Sequence, residues 1–281
     1  MSRMHTEDLH IHYGNNKVIN GIDIKIPDKQ VTAIIGSNGC GKSTLLKAMT
    51  RIIPYQDGTV IFDGKEISSE QTKQLAKKMA ILPQSQESTS GLTVRELISY
   101  GRFPYQNAFG KLTKEDKEAI DWAMEVTNTS TFQYQVVDTL SGGQRQRVWI
   151  AMALAQETNV IFLDEPTTYL DMAHQLEILE LLDRLNKEQE RTIIMVLHDL
   201  NQAARFADYM IALKEGQIVQ TGSAKKVMTP EVLKEVFHID ALIDQDPRTQ
   251  QPICISYNLI KGEQTNEKKP HPRPVPVTAA H

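Results

Sequence analysis

The chain has 281 residues, 40% of them hydrophobic and 23% charged, with a formal net charge of −4. That length suits one large domain or a domain with a subdomain, and the acidic balance argues against a nucleic-acid reader, which carries a basic excess. No run of about 18 apolar residues exists to span a bilayer; the opening MSRMHTEDLH lacks the apolar region of a secretory signal; and Cys40 and Cys254 make neither a disulfide framework nor a metal pattern, so a reducing cytoplasm is the expected compartment.

Along the chain, DLHIHYG and VINGIDIKI alternate apolar and polar residues around a GNN turn, which predicts antiparallel β-structure. VTAIIG reads as a short buried strand running directly into GSNGCGKST, Gly36 to Thr44. This stretch meets the pattern G-x-x-x-x-G-K-[ST] at Gly36, Gly41, Lys42 and Ser43. Its glycines let successive N–H groups turn towards anionic oxygens, Lys42 brings a charge for the outer phosphates, and the Ser43 hydroxyl can bind Mg²⁺. A helix from Lys42 to about Met49 would point its positive end at the phosphates. Ser37, Asn38, Gly39, Cys40 and Thr44 complete this nucleotide loop.

GTVIFDG reads as a further strand ending in an Asp63-Gly64 turn. TVRELISYG and LTKEDKEAIDWAMEVT have helical apolar spacing, the second with a capping box at Thr113 and Asp116. Then come a strand (NVIFLDEP), an amphipathic helix (MAHQLEILELLDRLNKEQ), a strand (RTIIMVLHD), a helix (LNQAARFA) and a hairpin turning at Glu215-Gly216. Strand–helix–strand alternation predicts a parallel sheet with helices on its faces. From residue 261 the chain is polar and Pro-rich without a hydrophobic period, which predicts a disordered tail over 261–281.

A phosphate loop does not by itself say how the phosphate energy is used. Asp164 ends a buried strand, where its carboxylate can hold a Mg²⁺ shell, and Glu165 next to it can polarise an attacking water. LSGGQRQRV, Leu140 to Val148, places a hydroxyl and two side-chain-free residues at a helix start, a second place to press N–H groups on phosphate. Two such starts for one triphosphate suggest two chains sharing each nucleotide. With the phosphate loop upstream and FLDEP downstream, this set resembles the ABC-type ATPases over the chain up to about Asp244.

The resemblance implies an α/β fold: a P-loop NTPase core with a parallel sheet flanked by helices, an N-terminal antiparallel β subdomain, and a helical subdomain inserted at about 88–140 of a domain spanning 1–260. It implies ATP and Mg²⁺ as cofactors. It implies a head-to-tail dimer in which Ser141, Gly142, Gly143 and Gln144 of one chain meet the nucleotide on the other. Tyr13 would stack on adenine, Gln84 would contact Mg²⁺ and the attacking water, and His198 would support Glu165 near the γ-phosphate. Leu170-Asp171 would cross the dimer interface. Ser37 stands where proline is common in the family, and Tyr169 where many members have a small residue.

GRFPYQ and the run from HDLNQAARFADY to VMTPEVLKEVFHID are similar to the import ATPases for ferric siderophores and the related haem and cobalamin systems. That likeness implies an ATPase at the cytoplasmic face of the membrane, docked on separate permease subunits and fed by an extracellular siderophore-binding protein, with no nucleic acid as partner. Arg102, Phe103 and Tyr105 are candidates for the permease socket, against the alternative of subdomain packing. A cobalamin or haem importer is the nearest alternative. A soluble ABC ATPase acting on nucleic acid or ribosomes is more distant, because the chain holds one of each motif and no heptad insertion.

Overall fold

A computed structural model describes residues 2–84, 91–106 and 110–260. The predicted tail at 261–281 and parts of the predicted insertion at 88–140 lie outside the described residues. The chain opens with β1 (Ser2–Tyr13), β2 (Asn16–Ile22), β3 (Lys25–Pro27), β4 (Val31–Gly36), α1 (Lys42–Met49), β5 (Asp57–Phe62) and β6 (Lys65–Glu66). It continues through α2 (Thr72–Leu75), β7 (Met79–Leu82), α3 (Val94–Ser99), α4 (Lys114–Val126) and α5 (Gly142–Ala155). Next come β8 (Val160–Asp164), α6 (Met172–Gln189), β9 (Thr192–Val196), α7 (Leu200–Phe206), β10 (Tyr209–Lys214) and β11 (Gln217–Gly222). The described chain closes with α8 (Ala224–Val227), α9 (Pro230–Phe237), β12 (Ile239–Gln245) and β13 (Pro252–Leu259).

The central sheet has the order β11-β10-β4-β9-β8-β7, parallel throughout except for the β10–β11 hairpin. Its parallel strands are largely buried on both faces, as expected where helices or a second sheet cover each side, while the edge strand β11 is only half-buried. Alternation decides which residue meets which layer. Ile161, Leu163, Ile193 and Met195 join the layer of α5, α6 and the helices before them. Val160, Phe162, Ile194 and Val196 join the layer of α1 and the antiparallel sheet. Truncating one such fully buried side chain would cost about 2–5 kcal/mol.

The antiparallel sheet runs β2-β1-β5-β6, with β3 also paired to β1. VINGIDIKI is therefore two strands and not one. Gly21 has a φ of +66°, the ladder is irregular there, and Asp23 leaves it to accept the Asp8 N–H at 2.8 Å. The Thr113–Asp116 capping box forms as expected at α4, and Thr93 and Glu96 form a second one at α3. The β12–β13 hairpin is a finding of the structure alone. Among the described residues, no helix is long and apolar enough to cross a membrane.

Candidate functional site

Four neighbouring parallel strands, in the order β4-β9-β8-β7, end at one rim of the sheet. Beyond their carboxyl ends stand the Gly36–Thr44 loop, His198, the Asp164–Glu165 pair and Gln84, in that order. The carboxyl ends of strands are where open α/β sheets bind ligands. The rim encloses a cleft of about 530 Å³. Asn38, Gly39 and Gly41 to Thr44 form one wall, and Gln84, Glu165 and His198 the other.

The loop is held open by local geometry. Gly41, at the start of α1, has a φ of +108°, and a Cβ there would stand 2.8 Å from Ile19 Cδ1. Only glycine accepts both constraints. No side chain caps α1, so its first N–H groups remain available to an anion. Lys42 Nζ donates to Gly36 O at 2.9 Å and to Ser37 O at 3.0 Å, which holds the ammonium within the loop. Serine at position 37 thus leaves the lysine in place.

Opposite, Ser43 Oγ donates to Asp164 Oδ1 at 2.7 Å. Burial pushes the Asp164 carboxyl above its ordinary value, with the Ser43 hydrogen bond working against that. Asp164 Oδ2 is buried with no hydrogen-bond partner among the described residues. A buried acceptor in that condition, beside a hydroxyl, fits a hard cation that takes oxygen ligands.

Glu165 has a left-handed backbone with a φ of +54°, a conformation that costs about 1–3 kcal/mol in a residue with a side chain and recurs at functional sites. Both oxygens of its carboxylate have partners. His198 Nε2 lies 2.6 Å from Oε1, while Gln84 Nε2 and Thr168 Oγ1 donate to Oε2 at 2.7 and 3.1 Å. Burial would raise this carboxyl; the His198 hydrogen bond and charge, with Thr168 and Gln84, more than offset it and hold the group below the ordinary glutamate value. Glu165 is therefore an oriented carboxylate held below the usual glutamate range. Thr168 was not singled out from the sequence, although a hydroxyl three residues after Glu165 was its available signal.

Other expected positions lie outside the cleft. Tyr13 is exposed at the end of β1 and does not line it. Cys40 belongs to the loop, but its side chain is buried in the core beneath and burial raises its thiol pKa, so that thiol does not face a nucleotide. Ser141 and Gly142 are exposed, Gly143 is buried and Gln144 half-buried; none of the four lines the cleft. Ser141 caps α5 and closes a capping box with Gln144.

Arg102 is no socket. It is 3% exposed, with Nε donating to Asp116 at 2.8 Å and Nη1 to Ala155 O and to Glu157, both at 2.7 Å. Tyr105 packs on its guanidinium, 4.0 Å from the ring centroid, and donates to Gln156 O. Both residues tie the inserted helices to the end of α5. Phe103 is exposed and stacks on Tyr100 at 4.6 Å.

A family profile described as ABC transporter matches residues 19–168. The chain is 58% identical over 263 residues to the iron(3+)-hydroxamate import ATP-binding protein FhuC of Bacillus subtilis (strain 168), covering 94% of this chain and 98% of the relative. It is 45% identical over 255 residues to the ferric enterobactin transport ATP-binding protein FepC of Escherichia coli (strain K12), covering 91% and 94%. Its fold matches the dimeric structure of MJ0796, a bacterial ABC transporter cassette, with a TM-score of 0.70 at 27% identity, covering 78% of this chain and 98% of that one. These matches show that the chain belongs to the ABC transporter family and is an ATP-hydrolysing, ATP-binding subunit.

Proposed function

We propose that this chain powers the uptake of iron(III)-siderophore complexes through a separate membrane permease. The observation that carries the cargo class is the likeness to the hydroxamate importer along 94% of the chain, well beyond the ATPase motifs. The cleft supplies the chemistry. Lys42 and the uncapped start of α1 bind the β- and γ-phosphates, Glu165 takes the proton of the attacking water, and His198 and Gln84 aim its carboxylate. Each Glu165 oxygen has a partner, and Oε1, met by His198 alone, keeps a lone pair for that proton. Ser43, Asp164 and the Gln84 amide oxygen are the groups that would hold Mg²⁺, directly or through its water shell. Bound there, the cation would spread the charge of the phosphate oxygens.

Ser141 and Gly142 face away from this chain's own cleft, which supports a second ATPase subunit whose nucleotide they complete. Tyr13, exposed at the end of β1, is assigned to the adenine. The domain spans 1–260, with a helical insertion at about 88–140 that meets the permease. The subunit works at the cytoplasmic face, while an extracellular binding protein delivers the cargo.

The test replaces the native gene with Lys42→Ala in a strain lacking close paralogues. Growth should fail only when iron is scarce. Uptake of a labelled ferric hydroxamate should fall while its capture at the cell surface persists, because capture needs no ATP closure. Unchanged uptake of every siderophore, with loss of cobalamin or haem uptake instead, would overturn the cargo.

A further inference from the structure

His174 stands outside every motif used so far, yet it joins two of them. Asp171, the cap of α6, accepts the His174 backbone N–H at 2.9 Å, and both carboxylate oxygens of Asp171 lie 2.8 Å from His174 Nδ1. Nδ1–H is the donor to that carboxylate, so one tautomer and one ring orientation are fixed. The ring then lies against the start of α5. A Cβ placed on Gly143 would stand 2.5 Å from His174 Cδ2 and 2.9 Å from Cγ, closer than any side chain can come. Gly142, one residue earlier, would meet only Leu170 Cδ2, at 4.0 Å. The two glycines of the signature thus differ: Gly142 faces outward, and Gly143 is bare because an imidazole occupies its side-chain space.

Two more ties join the same segments. Gln146 Nε2 donates to Pro166 O at 2.8 Å, and Arg147 pairs with Glu177 at 2.9 Å. The first turns of α5 are therefore clamped to the stretch that follows Glu165. Close packing transmits displacement because it leaves no slack.

We propose that His174 is a positioning residue for ATP hydrolysis: the ring held by Asp171 seats Gly143, so that the signature and the Leu170-Asp171 loop reach a partner chain as one unit. This rests on the reading that Ser141 and its neighbours complete the partner's nucleotide site. His174 itself need touch no nucleotide, so its loss should act on turnover and spare ATP binding.

The experiment uses the purified full chain. It compares His174→Ala, His174→Asn, Gly143→Ala and the Gly143→Ala/His174→Ala double variant with wild type, reading the Kd of a fluorescent ATP analogue, kcat, KM and Tm. His174→Ala should lower kcat at least about tenfold, the scale of a small misplacement of reacting groups, with Kd and KM within about twofold. Asparagine keeps a planar donor towards Asp171 and should restore most of kcat. Gly143→Ala should be similarly impaired, and the double variant no worse than either single one, because the methyl group enters space the ring has vacated. A kcat for His174→Ala within about twofold of wild type, or a loss that follows Tm and is not restored by asparagine, would overturn the proposal. Ser141→Arg separates the two readings. If it leaves hydrolysis unchanged, the shared site fails and this inference with it. If it abolishes turnover while His174→Ala does nothing, only the positioning role fails.

Discussion

The starts of α1 and α5 are both glycine-rich and both proposed to meet phosphate, yet they stand in opposite conditions. The α1 start has a left-handed Gly41, no side-chain cap and a lysine held by two loop carbonyls, and it opens on the cleft. The α5 start is already satisfied: the Ser141 hydroxyl accepts the Gln144 N–H at 3.3 Å, and the Gln144 side chain accepts the Ser141 N–H at 3.1 Å. One is organised for an anion within a single chain. On the proposed shared site, the other would exchange neutral caps, worth about 1 kcal/mol, for charge-assisted bonds to a partner-bound ATP worth about 1.5–3 kcal/mol each. On that reading the second site is conditional on a dimer.

The strongest way to break the contrast is Glu165→Gln. Removing the charge that takes the water proton should cut turnover by about 10²–10⁴-fold while ATP binding survives. Both helix starts would then stay on the same nucleotide, and an ATP-bound dimer should accumulate in gel filtration with Mg²⁺. A variant that remains monomeric and hydrolyses ATP normally would show that the α5 start is not used.

Arg102→Ala acts on the far end of α5, where the guanidinium holds Ala155 O. It also leaves Asp116 buried and unpaired, so the fold should lose about 3–5 kcal/mol, read by denaturant melts, with nucleotide binding at α1 preserved in the folded fraction. The acid limb sharpens this. Burial pushes the Asp116 carboxyl up, but hydrogen bonds from Thr113 and Arg102 and the Arg102 charge hold it below its ordinary 3.8. A carboxyl depressed on folding contributes stability that is complete above that ordinary value and lost as pH falls through the lower folded one. Arg102→Ala should flatten that acid-side loss.

Lys42→Ala removes a charged contact from the α1 start alone. ATP binding should weaken about 10- to 100-fold, the equivalent of about 1.5–3 kcal/mol, by titration of a labelled nucleotide. Ser141→Ala is the smallest change. Loss of the α5 cap should cost about 1 kcal/mol of stability and reduce turnover, while nucleotide binding to the isolated chain stays as in wild type. Binding that weakens equally in both variants would erase the distinction between the two starts.

Much of the site was legible because its motifs are local. A buried strand, a glycine-rich loop and a helix in immediate succession give the Lys42 and Ser43 geometry, and a carboxylate at a strand end gives Asp164. The corrections share another origin. Cys40 sits within a cleft motif, but its direction follows from the core beneath it. Arg102 lies in an exposed-looking stretch, GRFPYQ, and is buried because Asp116 of α4 and the Ala155–Glu157 end of α5 converge on it. The strand Ile239–Gln245 was missed because its apolar residues only partly alternate and a bulge follows Leu242, whereas the alternation of Ile253, Ile255, Tyr257 and Leu259 in Pro252–Leu259 was an available signal.

The sequence by itself determined the phosphate loop, the acid pair at the end of β8, the second glycine-rich helix start and the family they belong to, since each is fixed by neighbours within about one turn or strand. Tertiary structure decided what surrounds Glu165. Gln84 and His198 reach its carboxylate from residues 81 and 33 positions away, because β7, β8 and β9 lie side by side in the sheet. It likewise decided why Gly143 must be bare, since the ring that occupies its side-chain space arrives from another helix, placed there by the Asp171 cap. Local periodicity chooses a helix or a strand; which side chains meet is set by the order in which those elements pack, and that order is the solution to burying two core layers at once.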